Sequence, residues 1–562
     1  MFREKQIAFR GAPRNALSIF VILAVSVILS LPSLRRGLPY GMDSAEHLSW
    51  YRCFAAQLSG GELYPRWLLG MNAGLGSPDF FVYGPLPYYA AFAFRIFTRG
   101  PGKEALELGI SIWLAVALSG IAAYIWLKDL GCTGFAAATA AIVYMSAPYH
   151  IKTDLYTRVA LAELWAFAWI PLIMCFTARL LRKPSRTDAC GLAVSYALLL
   201  TTHLFTALMF LPLPFLYILA VSRPQEPLRA LRDNLLSLML GVALSAAYLL
   251  PALAWHKYVS AYKLIDTRPD YLYYRNFLFS RDAATNPYLM TVSWLTAWTA
   301  AVAAGCILLI VLSKKSSMFR ETRFWAAIAA VSVVLMLPVS GWVWNMIPPL
   351  QAIQFPSRFN TLLGLALAAL AALAIDSVRG RWEWRSAAVG ACTLVLMIAW
   401  VVPISRSIGY QGDWIKKDFV NLDYLITAWA QWTDPKLVSL RGIPPAKGGD
   451  DKVVAGDSIA TVETWQPRSI RFHLTKAEAG WTMVEQFYFP LWVATLADGR
   501  SLTIRPSSPE GLIEVQTPAG DSDIQVRLPF GPAETAGAAF SLLGLVAAAF
   551  LVWPFPVAAP NP

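Results

Sequence analysis

Charge is scarce in this chain. Only 15% of its 562 residues are Asp, Glu, Lys or Arg, where a soluble globular protein carries roughly 25%. Cysteine is rarer: six residues, with no Cys-x-x-Cys and no Cys/His zinc spacing, which excludes a disulfide scaffold and a zinc module. The five His form no His-Glu-x-x-His pair, and no Ser-His-Asp elbow, Walker motif or kinase set occurs. What is abundant is apolar: 57% hydrophobic residues, with 22 Trp, 22 Tyr and 29 Phe, at a mean hydropathy of +0.49. That aromatic content excludes disorder. The chain reads as a polytopic α-helical membrane protein.

The net charge of +12 does not indicate nucleic acid. Such a partner needs basic residues gathered on one solvated face, and here they stand between apolar runs. A bilayer-crossing helix needs about 20 mainly apolar residues. On that measure candidate spans lie at 15–34, 105–127, 133–148, 160–178, 188–203, 205–221, 235–253, 291–312, 324–342, 358–377, 386–403 and 536–555, about 12 transmembrane helices. Arg and Lys alternate between loops so as to place both termini in the cytoplasm. The first span reads as an uncleaved signal anchor, and 85–98 as an interfacial or re-entrant segment.

The opposite side then receives 35–104, 254–290 and 404–535. Runs such as SIRFHLTK, GLIEVQTP and DIQVRLPF alternate with period two between turn signals, predicting a small extracytoplasmic, mainly β domain of sandwich type. Its beginning, 404–435, looks helical. The expected division is 1–403 as the multi-span domain, 404–535 as the extracytoplasmic domain, and 536–562 as the last span and cytoplasmic tail.

Ionisable residues gather on that outer side. In Gly41-Met-Asp-Ser-Ala-Glu-His, Asp43 and His47 share a helical face and could act as base, acid or metal ligands; Asp43 and Glu46 could equally form a capping box. Tyr64 and Arg66 lie in a Gly-, Pro- and aromatic-rich stretch running to Tyr89, suited to a fixed loop path at the membrane interface or to sugar stacking. His150, Lys152, Asp154, Arg158 and Glu163 cluster where one span closes and the next opens. Glu163 stands inside the apolar run, where an ionisable group faces a cavity or a partner, and Arg158 could be that partner. His203 marks a hairpin tip, and His256 follows another span. In Gln354-Phe-Pro-Ser-Arg, Arg358 at a helix N-terminus suits an anion such as phosphate, or a lipid head group.

The motifs MDSAEHL, GGELYPRWLLGMNAGLGSPDFFVYGPLPYY, YTRVALAELWAFAWIPL, TTHLFTAL, AAYLLPAL, QFPSRF and EQFYFPLWVATLADG, in this order, resemble the bacterial membrane proteins labelled 6-pyruvoyl-tetrahydropterin-synthase-related. That family looks like a branch of the GT-C glycosyltransferase superfamily. The soluble synthase behind the label uses a zinc-bound His triad, which nothing here resembles. The resemblance implies an inner-membrane enzyme that moves a sugar from a polyprenyl-phosphate donor to an envelope glycan, lipid or protein acceptor on the outer face. Asp43 occupies the family's acidic first-loop position, with Glu46 and His47 beside it as catalytic candidates. Arg358, Arg158, Lys152 and His256, with Tyr64 and Arg66, would hold the lipid phosphate, supported by Asp154, Glu163, His150 and His203. Asp-Ser-Ala-Glu-His departs from the Asp-x-Asp or Glu-x-Asp of several GT-C groups; no cofactor is required by the motifs, and a divalent cation stays open. The alternatives are a flippase for lipid-linked glycans, which would show repeats and polar residues on both sides, and a non-catalytic scaffold whose β domain binds envelope glycan.

Overall fold

The computed structural model describes residues 2–98, 102–221, 227–258, 271–313, 319–378, 383–398, 452–454, 459–508 and 511–553. Among them seven helices are long and apolar enough to cross a membrane, or nine if each of two bent pairs is one span. Twelve were expected, and the described residues carry fewer. The 133–148 segment is a helix only over Gly134–Met145, whose 12 residues rise about 18 Å, short of a hydrocarbon core of about 30 Å. Arg186–Thr202 is 17 residues long and opens on Arg186 and Asp188. Glu383–Ile398 is short as well, and the rest of 386–403 lies outside the described residues.

The Leu161–Arg182 helix is the organising span. It packs against Glu104–Asp129 and Arg186–Thr202 and is buried over most of its surface. At its far end Arg179 pairs with Asp129 at 3.1 Å and Asp188 at 3.5 Å. Its near end, about 33 Å away over 22 residues, carries Glu163. Asn360–Ser377 is equally buried, a run of Ala and Leu that lets neighbouring backbones approach closely.

The two bent spans have identifiable causes. Pro227–Leu244 and Ala246–Trp255 meet at 76° around Ser245. A break at membrane depth frees backbone groups that must find partners inside the protein. Ser541 of the last span supplies them: its hydroxyl accepts from Ala247 N at 2.8 Å and donates to Leu244 O at 3.0 Å. Arg66 adds a bond from Nη2 to Ala247 O at 2.8 Å. Gly537 and Gly544 allow this proximity, because a Cβ on either would sit 3.0 Å or less from the Ala246 carbonyl or Leu244 N. The second pair, Phe319–Leu335 and Pro338–Met346, turns through 89° just before Pro338, whose ring cannot continue the hydrogen-bond ladder.

The β domain is two antiparallel sheets. β1 (Val453–Val454), β4 (Gly480–Phe487), β8 (Leu512–Thr517) and β7 (Ile504–Pro506) form one, in the order β1-β4-β8-β7. β2 (Ile459–Gln466), β3 (Ser469–Lys476), β9 (Gly520–Arg527), β5 (Val493–Leu496) and β6 (Ser501–Leu502) form the other, in the order β2-β3-β9-β5-β6. Alternation decides their inner faces: Ile470, Phe472 and Leu474 of β3 and Ile524 and Val526 of β9 meet Val484, Ile513 and Val515 of the other sheet in one core. The expected helical start at 404–435 lies outside the described residues.

Trp67, Leu75 and Phe81 from the first outer loop enter the same core. Gly76, at φ +83°, makes this possible: a Cβ there would stand 2.5 Å from both Trp67 Nε1 and Gln486 Nε2. Phe487 N then donates to Leu75 O at 2.7 Å. A buried ionic knot ties the last span into the junction. Glu534, in the first turn of Pro532–Val552, receives Arg66 Nε at 2.8 Å and Arg468 Nη2 at 2.6 Å. Glu62 Oε1 stands 3.8 Å from Arg468 Nε as a more distant second partner, and removing the carboxylate that both arginines share costs about 3–5 kcal/mol. Glu534→Gln is therefore expected to lower the thermal midpoint in detergent and to expose β-domain sites to limited proteolysis; an unchanged midpoint and cleavage pattern would contradict the knot's role.

Candidate functional site

Gly41 brings the first outer segment against the chain that follows Tyr149. A Cβ on Gly41 would lie 2.5 Å from Val159 Cγ2 and 2.9 Å from Thr157 O. Without one, Met42 N donates to Thr157 O at 3.0 Å and Asp43 N to Arg158 O at 2.8 Å. Asp43 is the N-cap of the Ser44–Ser59 helix, yet its side chain makes no capping hydrogen bond. The capping box is not formed. Instead the carboxylate faces Arg158, with Oδ2 3.9 Å from Nη2, and stays 42% accessible. Glu46 is half-buried in the first turn of that helix.

His47 turns the other way. It is buried, and Leu161 N donates to its Nε2 at 3.4 Å. The ring proton therefore lies on Nδ1, which donates to the Tyr88 hydroxyl at 2.7 Å. Burial, with Arg158 adding to it, pushes the imidazole down to about 3. With both nitrogens committed, His47 braces the first loop against the Leu161–Arg182 helix.

Tyr149–Arg158 is a ten-residue π-helix, and Val159 after it is left-handed at φ 59°. π-helical turns mark functional sites more often than ordinary helix does. A β-branched residue in the left-handed region is a genuine outlier, held only by surrounding structure. Here Ala160 N bonds Asp154 O at 2.8 Å and Leu161 N bonds Val159 O at 2.8 Å. Gln354, just ahead of Arg358, is left-handed too, at φ 65°. Strain thus sits beside both arginines.

Those arginines converge on one oxygen. Arg158 Nη1 donates to Glu163 Oε2 at 3.0 Å, and Arg358 Nε lies 3.3 Å from the same atom. Tyr149 donates to Glu163 Oε1 at 3.2 Å, and Arg358 Nη1 to Ile353 O at 2.8 Å. Phe355 faces both guanidinium carbons, at 5.8 Å from Arg158 and 5.2 Å from Arg358, and Phe205 faces Arg358 at 5.0 Å. Asp154, fully buried, accepts from Arg158 Nη1 at 3.3 Å. Burial and then the Glu163 charge hold its carboxyl well above the usual carboxylate range, against Arg158. With the Asp154 carboxyl pushed toward its neutral form, the two cations are balanced chiefly by Glu163 and by the accessible Asp43.

The remaining candidates distribute as follows. Lys152 is half-buried on the π-helix, with its carbonyl taken by Thr157 Oγ1 at 2.7 Å. His150 is buried and stacked on Phe167 at 3.9 Å, and burial lowers its imidazole to about 3. His203 shares a 2.7 Å hydrogen bond with Thr206 Oγ1 and lies within electrostatic reach of Arg358 and Glu163. Tyr64 and Arg66 stack on each other at 3.7 Å, and Arg66 shares the Glu534 carboxylate with Arg468. Exposed His256 follows Trp255, which packs on Phe489 of the β-domain core. Tyr83 and Tyr288, which sequence reading passed over, couple electrostatically to Asp43, Arg158 and Glu163. Tyr83 at least stood inside a quoted motif; Tyr288 gave no signal.

A divalent cation does not fit this donor set. Among the described residues no group of three or more His, Cys, Asp or Glu is arranged to hold a metal ion. The carboxylates here are interleaved with guanidinium groups, which repel one.

Fold and site define a mainly helical membrane protein with a β-sheet domain and a buried arginine–carboxylate cluster. The chain belongs to the membrane-protein family described by its 6-pyruvoyl-tetrahydropterin synthase related domain, whose sequence profile matches residues 80–412. A search of curated proteins finds no match. Among solved structures the chain is similar to the arabinofuranosyltransferase AftD from Mycobacteria, at TM-score 0.47 and 17% identity over 69% of this chain and 27% of that one. It is also similar to the oligosaccharyltransferase of Archaeoglobus fulgidus, at TM-score 0.46 and 12% identity over 77% of this chain and 61% of that one. The same organism's AglB, solved with an inhibitory peptide and a dolichol-phosphate, gives TM-score 0.43 at 12% identity, again over 77% and 61%. The chain thus spans about a quarter of AftD's length and less than two thirds of the archaeal enzyme's.

The two buried carboxyls should respond differently to neutral replacement. Glu163→Gln strips charge from two guanidinium groups and is expected to cost about 3–5 kcal/mol. Asp154→Asn replaces a carboxyl that burial pushes toward its neutral form by an amide of the same shape, and is expected to cost less than about 1 kcal/mol. Thermal unfolding of both variants in the same detergent tests this; equal losses would mean that Asp154 is ionised.

Proposed function

We propose that this chain is a GT-C-type membrane glycosyltransferase, working on the extracytoplasmic face of a bacterial inner membrane and taking its sugar from a polyprenyl-phosphate donor. One observation carries the reading: two buried guanidinium groups share one Glu163 oxygen, while an accessible carboxylate, Asp43, stands 3.9 Å from Arg158. Planar, always-charged guanidinium groups bind phosphate oxygens through paired N–H donors. Arg158 and Arg358 would hold the donor phosphate, and Asp43 would receive the acceptor.

In the reaction, the acceptor hydroxyl oxygen bonds to the sugar C1 as the bond from C1 to the phosphate oxygen breaks. The hydroxyl proton passes to Asp43, and the bonding electrons leave with the lipid phosphate. The transition state is oxocarbenium-like. Charge developing on the departing phosphate faces preorganised cations, which stabilise it without a separate acid. Tyr149 and Asp154 hold Glu163 and Arg158 in place.

The acceptor belongs to the cell envelope, as glycan, lipid or protein, approached from the side where the β domain stands. That domain, with the first loop, is the extracytoplasmic part in this reading, and 1–403 the catalytic membrane domain.

Reconstituted protein given a labelled polyprenyl-phosphate sugar tests the assignment. Asp43→Asn is expected to reduce transfer at least about 100-fold, as loss of a general base does, with donor binding retained. Arg358→Ala is expected to weaken donor binding. Unchanged transfer in both variants would overturn the proposal.

A further inference from the structure

Two tyrosines beside the arginine–carboxylate cluster take no part in the chemistry above. Their neighbours' hydroxyls are committed to the protein. Tyr88 accepts from His47, Tyr149 donates to Glu163, Tyr156 to Leu29 O at 2.6 Å and Tyr248 to Val82 O at 2.9 Å. Tyr83 and Tyr288 differ. Both are half-buried, and among the described residues neither hydroxyl has a hydrogen-bond partner or is sealed from the surface.

The position of Tyr83 is fixed on every side but that one. Its N bonds Asp79 O at 2.9 Å, and Tyr248 holds the Val82 carbonyl just ahead of it. Just after it, Gly84 lies so close to the end of the Arg186–Thr202 helix that a Cβ would stand 2.3 Å from Thr202 O. The Tyr83 ring packs on Trp50 at 4.6 Å, with the rings of His47 and Tyr88 each 6.2 Å away. None of this packing uses the hydroxyl. Tyr288 comes from a different element, the first turn of the Pro287–Ser313 helix, where Asn286 Oδ1 accepts from Leu289 N at 3.2 Å. That helix packs against the Tyr149–Arg158 π-helix. Both tyrosines thus lie within electrostatic reach of Asp43, Arg158 and Glu163. Burial and then the Asp43 charge hold the Tyr83 phenol above its usual range, so it stays protonated and able to donate.

We propose that Tyr83 and Tyr288 bind the sugar of the donor, their free hydroxyls pairing with its ring hydroxyls and so selecting which sugar is transferred. This rests on the glycosyltransferase reading above and adds the residues that read the sugar. A sugar joined to a phosphate on Arg158 and Arg358, with its C1 open to a hydroxyl on Asp43, carries its other hydroxyls into the space these two side chains border. A phenol both donates and accepts, whereas an ionised carboxylate only accepts and a guanidinium only donates. Of the groups around that space, the two phenols are therefore the ones matched to a hydroxyl in either orientation. A site that bonds a substrate hydroxyl discriminates strongly against an analogue that lacks or misplaces it.

The test measures binding of the full chain, in detergent, to undecaprenyl phosphate, either bare or carrying mannose, glucose or arabinofuranose. The unaltered protein is expected to bind one of the sugar-bearing lipids at least about tenfold more tightly than the bare one. Tyr83→Phe combined with Tyr288→Phe keeps both rings and removes only the two oxygens. It is expected to erase that preference while leaving the Kd for the bare lipid and the thermal midpoint unchanged. A preference retained in the double variant would overturn the proposal. An equal loss for bare and sugar-bearing lipids would make the tyrosines phosphate ligands and overturn it too, as would an unaltered protein that binds all four lipids alike. In each of these cases, binding of the bare lipid that is lost in Arg358→Ala leaves the glycosyltransferase reading intact. Failure of the unaltered protein to bind any of the four would remove that reading and this one with it.

Discussion

One carboxylate oxygen, Glu163 Oε2, takes the charge of two arginines that stand far apart in the chain. A buried guanidinium without a partner is costly, and two side by side more so. Everything around Glu163 serves that balance. Tyr149 orients its second oxygen, Asp154 steadies Arg158, and Phe355 covers both cations. The low-dielectric surroundings strengthen each of these charge pairs.

The geometry is held by local strain and by anchoring at a distance. A π-helix and a left-handed Val159 aim Arg158 at Glu163, and a left-handed Gln354 precedes Arg358. His47, with both nitrogens engaged, locks the Asp43 loop onto the start of the Leu161–Arg182 helix. Further out, Trp67 in the β-domain core and Arg66 on Glu534 fix the rest of the same loop. The β domain and the last span therefore act on the site through the first outer loop.

Much of the architecture was legible. Long uninterrupted apolar runs and period-two alternation are physical signatures of bilayer helices and of half-buried strands, and they located most spans and the sandwich. The overcount of spans came from 133–148 and 188–203, where apolar composition is right and length is not. The ionisable residues of the site were also visible, because charge inside an apolar run is conspicuous. Their roles were less so. His47 shares a helical spacing with Asp43 but is turned inward by a backbone amide of another segment. Arg66 pairs with Glu534, which is remote in sequence, and nothing local announced that contact.

By itself the sequence determined the solvent and the elements: a chain with long apolar runs and few charges inside them has to cross a membrane, and alternating strands have to pair. It also marked Asp43, Arg158, Glu163 and Arg358 as charges out of place. Only the tertiary structure decided which of these meet, which His are braces, and that Arg66 belongs to a structural knot. Ion pairs between distant segments depend on distances of a few ångströms, and no local pattern of residues encodes those. The elbow before Arg358 is of the same kind: Pro338 ends the hydrogen-bond ladder, and after the 89° turn Trp344 packs on Tyr273 and Phe359.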